Sequence, residues 1–384
     1  MPAPKVVHVT SAHPVRDTRI FTKECRTLAA AGYDVVLIAQ HDHDEVVDGV
    51  TIRAVRPARS RGERMVQTAL RAIRAAAAEK ASLYHLHDPE LLVWAPLLRL
   101  RGGRVVFDMH EHTPVAITTK EWLPVPARKG LSRIVRWAER LLLARTPVIF
   151  AETAYGKDYP WVQCSATVLN MPLVEELHAL TMTKHSLFTI GYLGLIASRR
   201  GAGTMLAAAD ILVKRGRSFS LELVGTVAEP FRAELARRQA NATYPLHTPG
   251  YVPPRQGWER MARCHVGVAV LASTPNNRMS YPTKIFEYMA LGIPVITSDF
   301  PLYRAVIEES QCGFCIDPHS PETLADKIEW VIGHPEAAAA MGQRGREAAR
   351  HRFNWKPEAE KLLRFYDGLL PVTPSGSLAR GAEA

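Results

Sequence analysis

YPTKIFEYMALGIPVITSD, residues 281–299, reads as a loop, a short amphipathic helix, a Gly-Ile-Pro turn and a buried strand. Pro282 stands where a helix can begin without losing a hydrogen bond, because the first helical amide has no intrahelical partner. Ile285, Phe286, Met289 and Ala290 recur at helical spacing and leave Lys284 and Glu287 on a different face. Gly292 ends the helix, and Val295-Ile296 opens a strand apolar enough for burial on both sides. A helix start with free amides suits an anion, and Glu287, one turn in, is positioned to accept hydrogen bonds from a sugar diol. An anion beside a diol is the chemistry of a nucleotide. The same pattern also suits a core helix of any α/β domain, with Lys284 and Glu287 as solvated charges.

Outward from this stretch, the chain repeats the strand, loop, helix, strand order that builds parallel sheets. VVHVTS (6–11) precedes the polar loop AHPVRDTR, a helix over about 20–31 and the strand DVVLIAQ (34–40). The loop lacks the Gly-x-Gly-x-x-Gly fingerprint, so no dinucleotide is implied. Asp17 and Arg19 either face a cleft or cap and flank the helix. VTIRAVRP (50–57) leads into a basic, Ala-rich helix reaching about residue 80, through a region carrying Arg56, Arg59, Arg61, Arg64, Arg71 and Arg74. SLYHLHD (82–88), a helix over about 89–101 and RVVFDMHEH (104–112) continue the alternation. PVIFAET (147–153) and ATVLNMP (166–172) close a first domain of residues 1–172, and 173–186, without a strand pattern, reads as a linker. A second domain, 187–353, opens with FTIGYLGLIASRRGAGTMLAAADIL (188–212), a strand, a Gly-bearing turn and a helix. SLELVGT (220–226), a helix near 229–240, LHTPGYV (246–252) and VGVAVLA (266–272) follow, then STPNNRMS (273–280), a polar loop expected to be flexible. After helices at about 321–333, 335–350 and 354–370, the small, polar residues 371–384 are expected to be disordered.

A chain of 384 residues suits two domains rather than one core. No apolar run approaches a membrane span, and MPAPKVVHVT runs straight into a strand, so the expected compartment is the cytoplasm. Five scattered cysteines fit reduced thiols; Cys312-Gly-Phe-Cys315 has the spacing of a redox or zinc half-site, with no second pair to complete it. A net charge of +10 points to anionic partners: a nucleotide diphosphate, an anionic membrane face or nucleic acid. No recognised nucleic-acid module accompanies it, and none is expected to bind.

Two clusters end strands at what would be the carboxyl edge of a sheet. His85, His87 and Asp88, with Asp108, His110, Glu111 and His112, read either as a metal site or as strand-end groups bonded to backbone. The helix ARKGLSRIVRWAERLLLA (127–144) lines up Leu131, Ile134, Val135, Ala138, Leu141 and Leu142, with Arg128, Lys129, Arg133, Arg136 and Arg140 over the remainder and Trp122 and Trp137 in or near it. It suits an anionic membrane surface or packing against another domain.

Residues 281–299, SAHPVRDTRIFTKE (11–24) and DMHEH (108–112) together resemble the retaining family 4 glycosyltransferases of GT-B fold. That resemblance implies an α/β architecture of two Rossmann-like domains with parallel sheets facing across a cleft, the helix over 354–370 packing back on the first. In the family's E-x7-E signature the second carboxylate holds the ribose hydroxyls, and Glu287 matches it; the first falls on Met279. Pro282-Thr283-Lys284 fits the branch that carries Pro-x-Lys before the helix. The family's Gly-Arg pair becomes Gly194-Leu195, and Arg200 occupies its lysine position, leaving Arg199, Arg200 and Lys284 to balance a departing diphosphate.

By the same resemblance His110, Arg200, Lys284 and Glu287 carry catalysis, His110 contacting the donor sugar. Gly194, Arg199, Gly225, Tyr251, Val252, Ser280, Tyr281, Pro282 and Thr283 bind the donor, and Asp17, Arg19 and Glu111 line the acceptor side or cleft. The implied reaction moves a sugar from a nucleotide sugar, a UDP-sugar on family frequency, to a glycan or lipid-linked acceptor with retention of configuration. It needs no metal and no cofactor. A lipid-linked acceptor favours the membrane reading, with Arg133, Arg136 and Arg140 holding the protein at the inner face of the cell membrane. The departures at Met279 and Leu195 keep open a nucleotide-sugar-binding scaffold without turnover, or a GT-B epimerase acting on the nucleotide sugar.

Overall fold

Apolar strands separated by amphipathic helices bury both faces of a sheet, and the chain does this twice. The structure, a computed structural model, describes residues 3–120 and 123–370; Trp122 and the tail 371–384 lie outside the described residues, and so does the Arg61 side chain. The chain divides into two units: residues up to Asn170 together with those from Lys356 on, and Met171–Trp355.

In the first unit the strands are β1 (Lys5–Pro14), β2 (Asp34–Gln40), β3 (Glu45–Val47), β4 (Val50–Val55), β5 (Leu83–Leu86), β6 (Arg104–Met109), β7 (Val148–Phe150) and β8 (Ser165–Thr167). They lie in the order β3-β4-β2-β1-β5-β6-β7-β8, all parallel except the β3 edge, which runs antiparallel to β4. Strand order reverses between β1 and β5, where His8 and His85 are register partners. Ligands of open α/β sheets bind at the carboxyl ends beside such a reversal. The final helix, Trp355–Leu369, closes this unit from Lys356 on: the Tyr366 hydroxyl lies 2.7 Å from Nδ1 of His85, and the Glu358 carboxylate accepts from Leu169 N–H at 2.8 Å.

The second unit has β9 (Thr189–Leu193), β10 (Ser220–Val224), β11 (Leu246–Gly250), β12 (Val266–Ala269), β13 (Val295–Ser298) and β14 (Gly313–Ile316), wholly parallel in the order β11-β10-β9-β12-β13-β14. The reversal here falls between β9 and β12. Ile190, Tyr192, Leu206, Ala209, Leu221, Leu223, Val268 and Ile328 form its core, and the near-continuous burial of β10, β12 and β13 follows from helices covering both faces.

Several local expectations are corrected. Residues 273–280, expected as a flexible loop, contain the helix Pro275–Met279, with Thr274 accepting from Asn277 N–H at its start. The linker stretch 173–186 holds a helical turn, Val174–His178, that buries Val174 and Leu177. The helix expected over 20–31 begins as a π-helical turn, Ile20–Cys25, before the α-helix Arg26–Ala30. The helix over 89–101 breaks into Pro89–Leu92 and Ala95–Leu100. Edge strand β3 and helix Thr113–Thr118, too short to carry a periodic signal, were absent from the sequence reading.

Candidate functional site

In the second unit the chain leaves β9 at Gly194, whose φ of 130° a side chain rarely adopts. A Cβ there would lie 2.9 Å from Nζ of Lys284, and a Cβ on Gly225, after β10, would overlap Gly194 O. Two glycine turns therefore stack at the carboxyl edge, with the Lys284 amine over the first. Gly194 N–H donates to Val224 O at 2.8 Å and Gly225 N–H to Gly250 O at 2.9 Å, which fixes both turns. The short turn Ser198–Arg200 carries an exposed Arg199 and a half-buried Arg200.

Lys284 comes from helix Thr283–Ala290, capped by Pro282, and its Nζ lies 3.8 Å from the centroid of the Tyr192 ring. Burial pushes the ammonium down to about 7, Arg200 adds to the depression and Glu287 opposes it. Two cations that disfavour each other at a helix N-terminus are relieved by an anion. Glu287 Oε1 accepts from Trp258 Nε1–H at 3.2 Å. Ser280 donates to Asn276 O at 2.9 Å, and Tyr281 stands edge-on to Phe286, with ring centroids 5.5 Å apart. Tyr251 is exposed and Val252 half-buried beside β11. Met279 ends helix Pro275–Met279, and Leu195 O accepts from the Tyr192 hydroxyl at 2.6 Å.

In the first unit His110 follows β6 and remains partly exposed, with Nε2 2.8 Å from Asp108 Oδ2 and 3.2 Å from His87 Nδ1. Arg19, expected at the acceptor side, is instead enclosed: Nε and Nη2 donate to the Asp108 carboxylate at 2.9 and 2.8 Å, and Nη1 donates to Val168 O at 3.0 Å. Its charge serves the interior of the unit. Burial opposes ionisation of Asp108, yet Arg19 and then His110 hold its carboxyl well below the usual range. Asp17 takes the capping role, accepting from Arg19 N–H at 2.8 Å and Ile20 N–H at 2.9 Å. Glu111 is exposed.

The two histidine clusters meet only in part. Asp88 ties down the loop after β1 by accepting from Thr10 Oγ1 at 2.8 Å and Ser11 N–H at 2.6 Å. His112 turns away to Asp158, at 3.1 Å. His85 and His87 are joined instead by His8 and Glu24, neither of which was anticipated. His8 sits in an apolar strand that looks like plain core, and Glu24 reaches the cluster through a π-turn that periodicity cannot foresee. Trp258 was missed for a similar reason, since it approaches Glu287 from a separate helix, Pro254–Ala262.

Helix Val125–Leu143 exposes Leu131, Ile134, Trp137 and Leu141 together with Arg133, Arg136 and Arg140, while Glu139 and Leu143 are buried. No described helix is long and apolar enough to cross a membrane.

Residues 19–159 match the family model Glycosyltransferase Family 4, and residues 176–348 match Glycosyl transferases group 1. With one match in each unit, the chain belongs to the glycosyltransferases of GT-B fold. Among curated relatives, the capsular polysaccharide biosynthesis glycosyltransferase CapM of Staphylococcus aureus is 23% identical over 202 residues, 52% of this chain and only 50% of that protein's length. D-inositol 3-phosphate glycosyltransferase of Paenarthrobacter aurescens is 27% identical over 289 residues, 70% of this chain and 68% of its own. Phosphatidyl-myo-inositol mannosyltransferase of Mycobacterium leprae is 24% identical over 311 residues, 78% and 76% of the two chains. Sucrose-phosphate synthase from Thermosynechococcus elongatus superposes with a TM-score of 0.75 at 18% identity, covering 96% of this chain and 99% of that one. Anabaena HepE in complex with UDP-glucose superposes at 0.70 with 13% identity, covering 95% and 99%. At such identities the structural likeness speaks for the fold alone.

Proposed function

We propose that the chain transfers a sugar from a nucleotide-sugar donor, a UDP-sugar, to a glycan or lipid-linked acceptor in the synthesis of a surface polysaccharide or glycolipid. The observation that carries this reading is the turn after β9, where Gly194 is kept bare beneath Lys284 and Arg200 stands near enough to depress the lysine. A pyrophosphate lying over Gly194 meets both cations and the positive end of helix Thr283–Ala290. Glu287, oriented by Trp258, accepts from the ribose hydroxyls through its carboxylate oxygens. The base lies toward Gly225, Tyr251 and Val252. HepE, a neighbour in fold, is crystallised with UDP and UDP-glucose, which makes uridine the base to assay first. A mycobacterial relative named GDP-mannose-dependent, 29% identical over 82 residues, makes guanosine the alternative to assay.

When the bond from the anomeric carbon to the phosphate oxygen breaks, its electron pair leaves with the diphosphate, and Arg200, Lys284 and that helix end take up the growing charge. The acceptor oxygen bonds to the anomeric carbon on the face the phosphate leaves, and the acceptor proton passes to the departing phosphate oxygen. Configuration is thereby retained, with no protein nucleophile and no metal in the chemistry. Pro282-Thr283-Lys284 fits the Pro-x-Lys branch, and on this reading Arg200 and Lys284 compensate for Leu195. The reaction runs in the cytoplasm, with helix Val125–Leu143 resting on the anionic inner face of the membrane.

The test is a panel of UDP- and GDP-sugars incubated with and without membrane extract. Acceptor-dependent release of nucleotide, lost in Glu287→Ala and Arg200→Ala with the circular dichroism unchanged, is the expected result. Donor binding without release would leave a scaffold, and an isomerised donor sugar would leave an epimerase; either overturns the proposal.

A further inference from the structure

Behind His110, a polar cluster is sealed inside the first unit. His8 on β1 and His85 on β5 are register partners in adjacent parallel strands, His87 follows on the same side of the chain, and Glu24 enters from the turn Ile20–Cys25. None of the four is more than 2% exposed, and a ligand atom from each lies within 4.8 Å of the other three. His85 Nε2 has no hydrogen-bond partner, and Glu24 is held only by its neighbours Arg19, 3.1 Å from Oε1, and Asp108. An orphaned group of this kind in a dry interior is costly and calls for a further occupant. Arg19 partners Glu24 only in part: its guanidinium is taken bidentately by Asp108, and its Nε alone forms the 3.1 Å ion pair with Glu24 Oε1.

The far sides of two imidazoles are held from behind. His85 Nδ1 lies 2.7 Å from the Tyr366 hydroxyl, and His87 Nδ1 lies 3.2 Å from His110 Nε2 and 3.4 Å from Asp108 Oδ2. Outer partners on one ring nitrogen orient a histidine whose other nitrogen binds a metal.

We propose that His8, His85, His87 and Glu24 form a closed structural site for a first-row divalent cation, zinc being the ion that fits. Three imidazole nitrogens and one carboxylate oxygen make an N/O set that zinc takes tetrahedrally at about 2.0–2.2 Å. Side-chain adjustments of about 1 Å bring the four atoms to that geometry from their present spacing. When the ion enters, the 2.9 Å hydrogen bond between His8 Nδ1 and His87 Nε2 is replaced by a bond from each ring to the metal, and the neutral His8 ring carries its proton on Nε2, 3.4 Å from the Tyr366 hydroxyl. The charges then pair, Asp108 answering Arg19 and Glu24 answering the cation. With four protein ligands and no exposed position, the ion clamps β1, β5 and the turn Ile20–Cys25 rather than performing chemistry. Sugar transfer proceeds without it as a reactant, so the inference stands or falls independently of the donor-site reading.

The test uses the full-length chain without an affinity tag. It is unfolded with chelator, refolded with zinc, dialysed and analysed by metal mass spectrometry. One zinc per chain, a melting temperature lowered when zinc is withheld, and a visible tetrahedral absorption when cobalt replaces it are expected. Glu24→Gln and His85→Gln should each reduce retained metal to a small fraction. His43→Ala, which breaks the surface cluster His41, His43 and Glu45, should retain it. A wild-type chain that holds no zinc after refolding overturns the proposal without reference to any variant. Metal lost in His43→Ala but kept in His85→Gln overturns it too.

Discussion

Lys284 is a cation held where a cation is unfavourable. Burial first and Arg200 second push its ammonium down to about 7, so at pH 8 most of the population is neutral. A diphosphate bound beside it favours the charged form and raises the pKa, so binding takes up a proton. Calorimetric titration with UDP at pH 8, in two buffers of different ionisation enthalpy, should register that uptake, and Lys284→Met should abolish it. Equal heats in the two buffers would mean that the phosphates lie elsewhere. Glycine positions give a second contrast. Gly201, at φ 79°, has no room for a Cβ against Val270 O, whereas Gly203, two residues on in helix Ala202–Lys214, has nothing within 4 Å. Gly201→Ala should cost on the order of 2–4 kcal/mol, and Gly203→Ala should gain about 0.5–1 kcal/mol, read from thermal melting. Lys284 and Gly194 stood out as candidates in the sequence because motif residues bracket them, and the structure brings the two together. Trp258 and Glu24 were not, because their neighbours are distant in sequence and no local period encodes such a meeting.

Helix Val125–Leu143 marks the limit of periodicity as a guide to an element's surroundings. Its amphipathic stripe was readable, but the structure divides that stripe: Val135, Ala138 and Leu142 are half-buried, whereas Leu131, Ile134 and Leu141 stay exposed beside Trp137. An apolar residue turned outward between arginines looks identical in sequence to one turned inward. Removing the charges of Arg133, Arg136 and Arg140 together should weaken flotation with anionic vesicles by about 3 kcal/mol, at roughly 1 kcal/mol for each cation near the surface. The loss should shrink as salt is raised. Unchanged partitioning at low salt would assign this face to a protein partner. The strands were more legible than the helices throughout. β2, β6, β10 and β12 are runs of buried residues that need only composition, while the π-turn Ile20–Cys25 and the break after Leu92 depend on packing that composition does not record.

For the molecule as a whole, the doubly wound order of both sheets follows from the alternation of strand and helix, which is why the architecture was open to reading where individual side-chain partners were not. Stability against pH is a whole-chain property to which the two units contribute with opposite signs. In the first, burial raises the Glu139 carboxyl to about 7 despite hydrogen bonds from Tyr159 and Thr113 and the charge of Arg136. The folded state then holds a proton that the unfolded state releases above 4.5, so this group's contribution falls as pH rises from 4.5 to 7. Glu139→Gln should therefore gain on the wild type across that window and level off above it, by on the order of 3 kcal/mol at most. In the second unit the depressed Lys284 works the other way. Below 7 both states are protonated and the burial cost is fully present; between 7 and 10.5 the unfolded state holds the extra proton, so stability recovers as pH rises. Lys284→Met should accordingly be more stable than the wild type at pH 6, with the advantage fading toward pH 10, in paired thermal melts. An advantage unchanged with pH would locate the cost in packing rather than in charge. If it fades as expected, near-neutral stability has been given up at the residue that awaits the diphosphate, and UDP should restore it most strongly below pH 7, where that ammonium is fully formed and unpaired with phosphate.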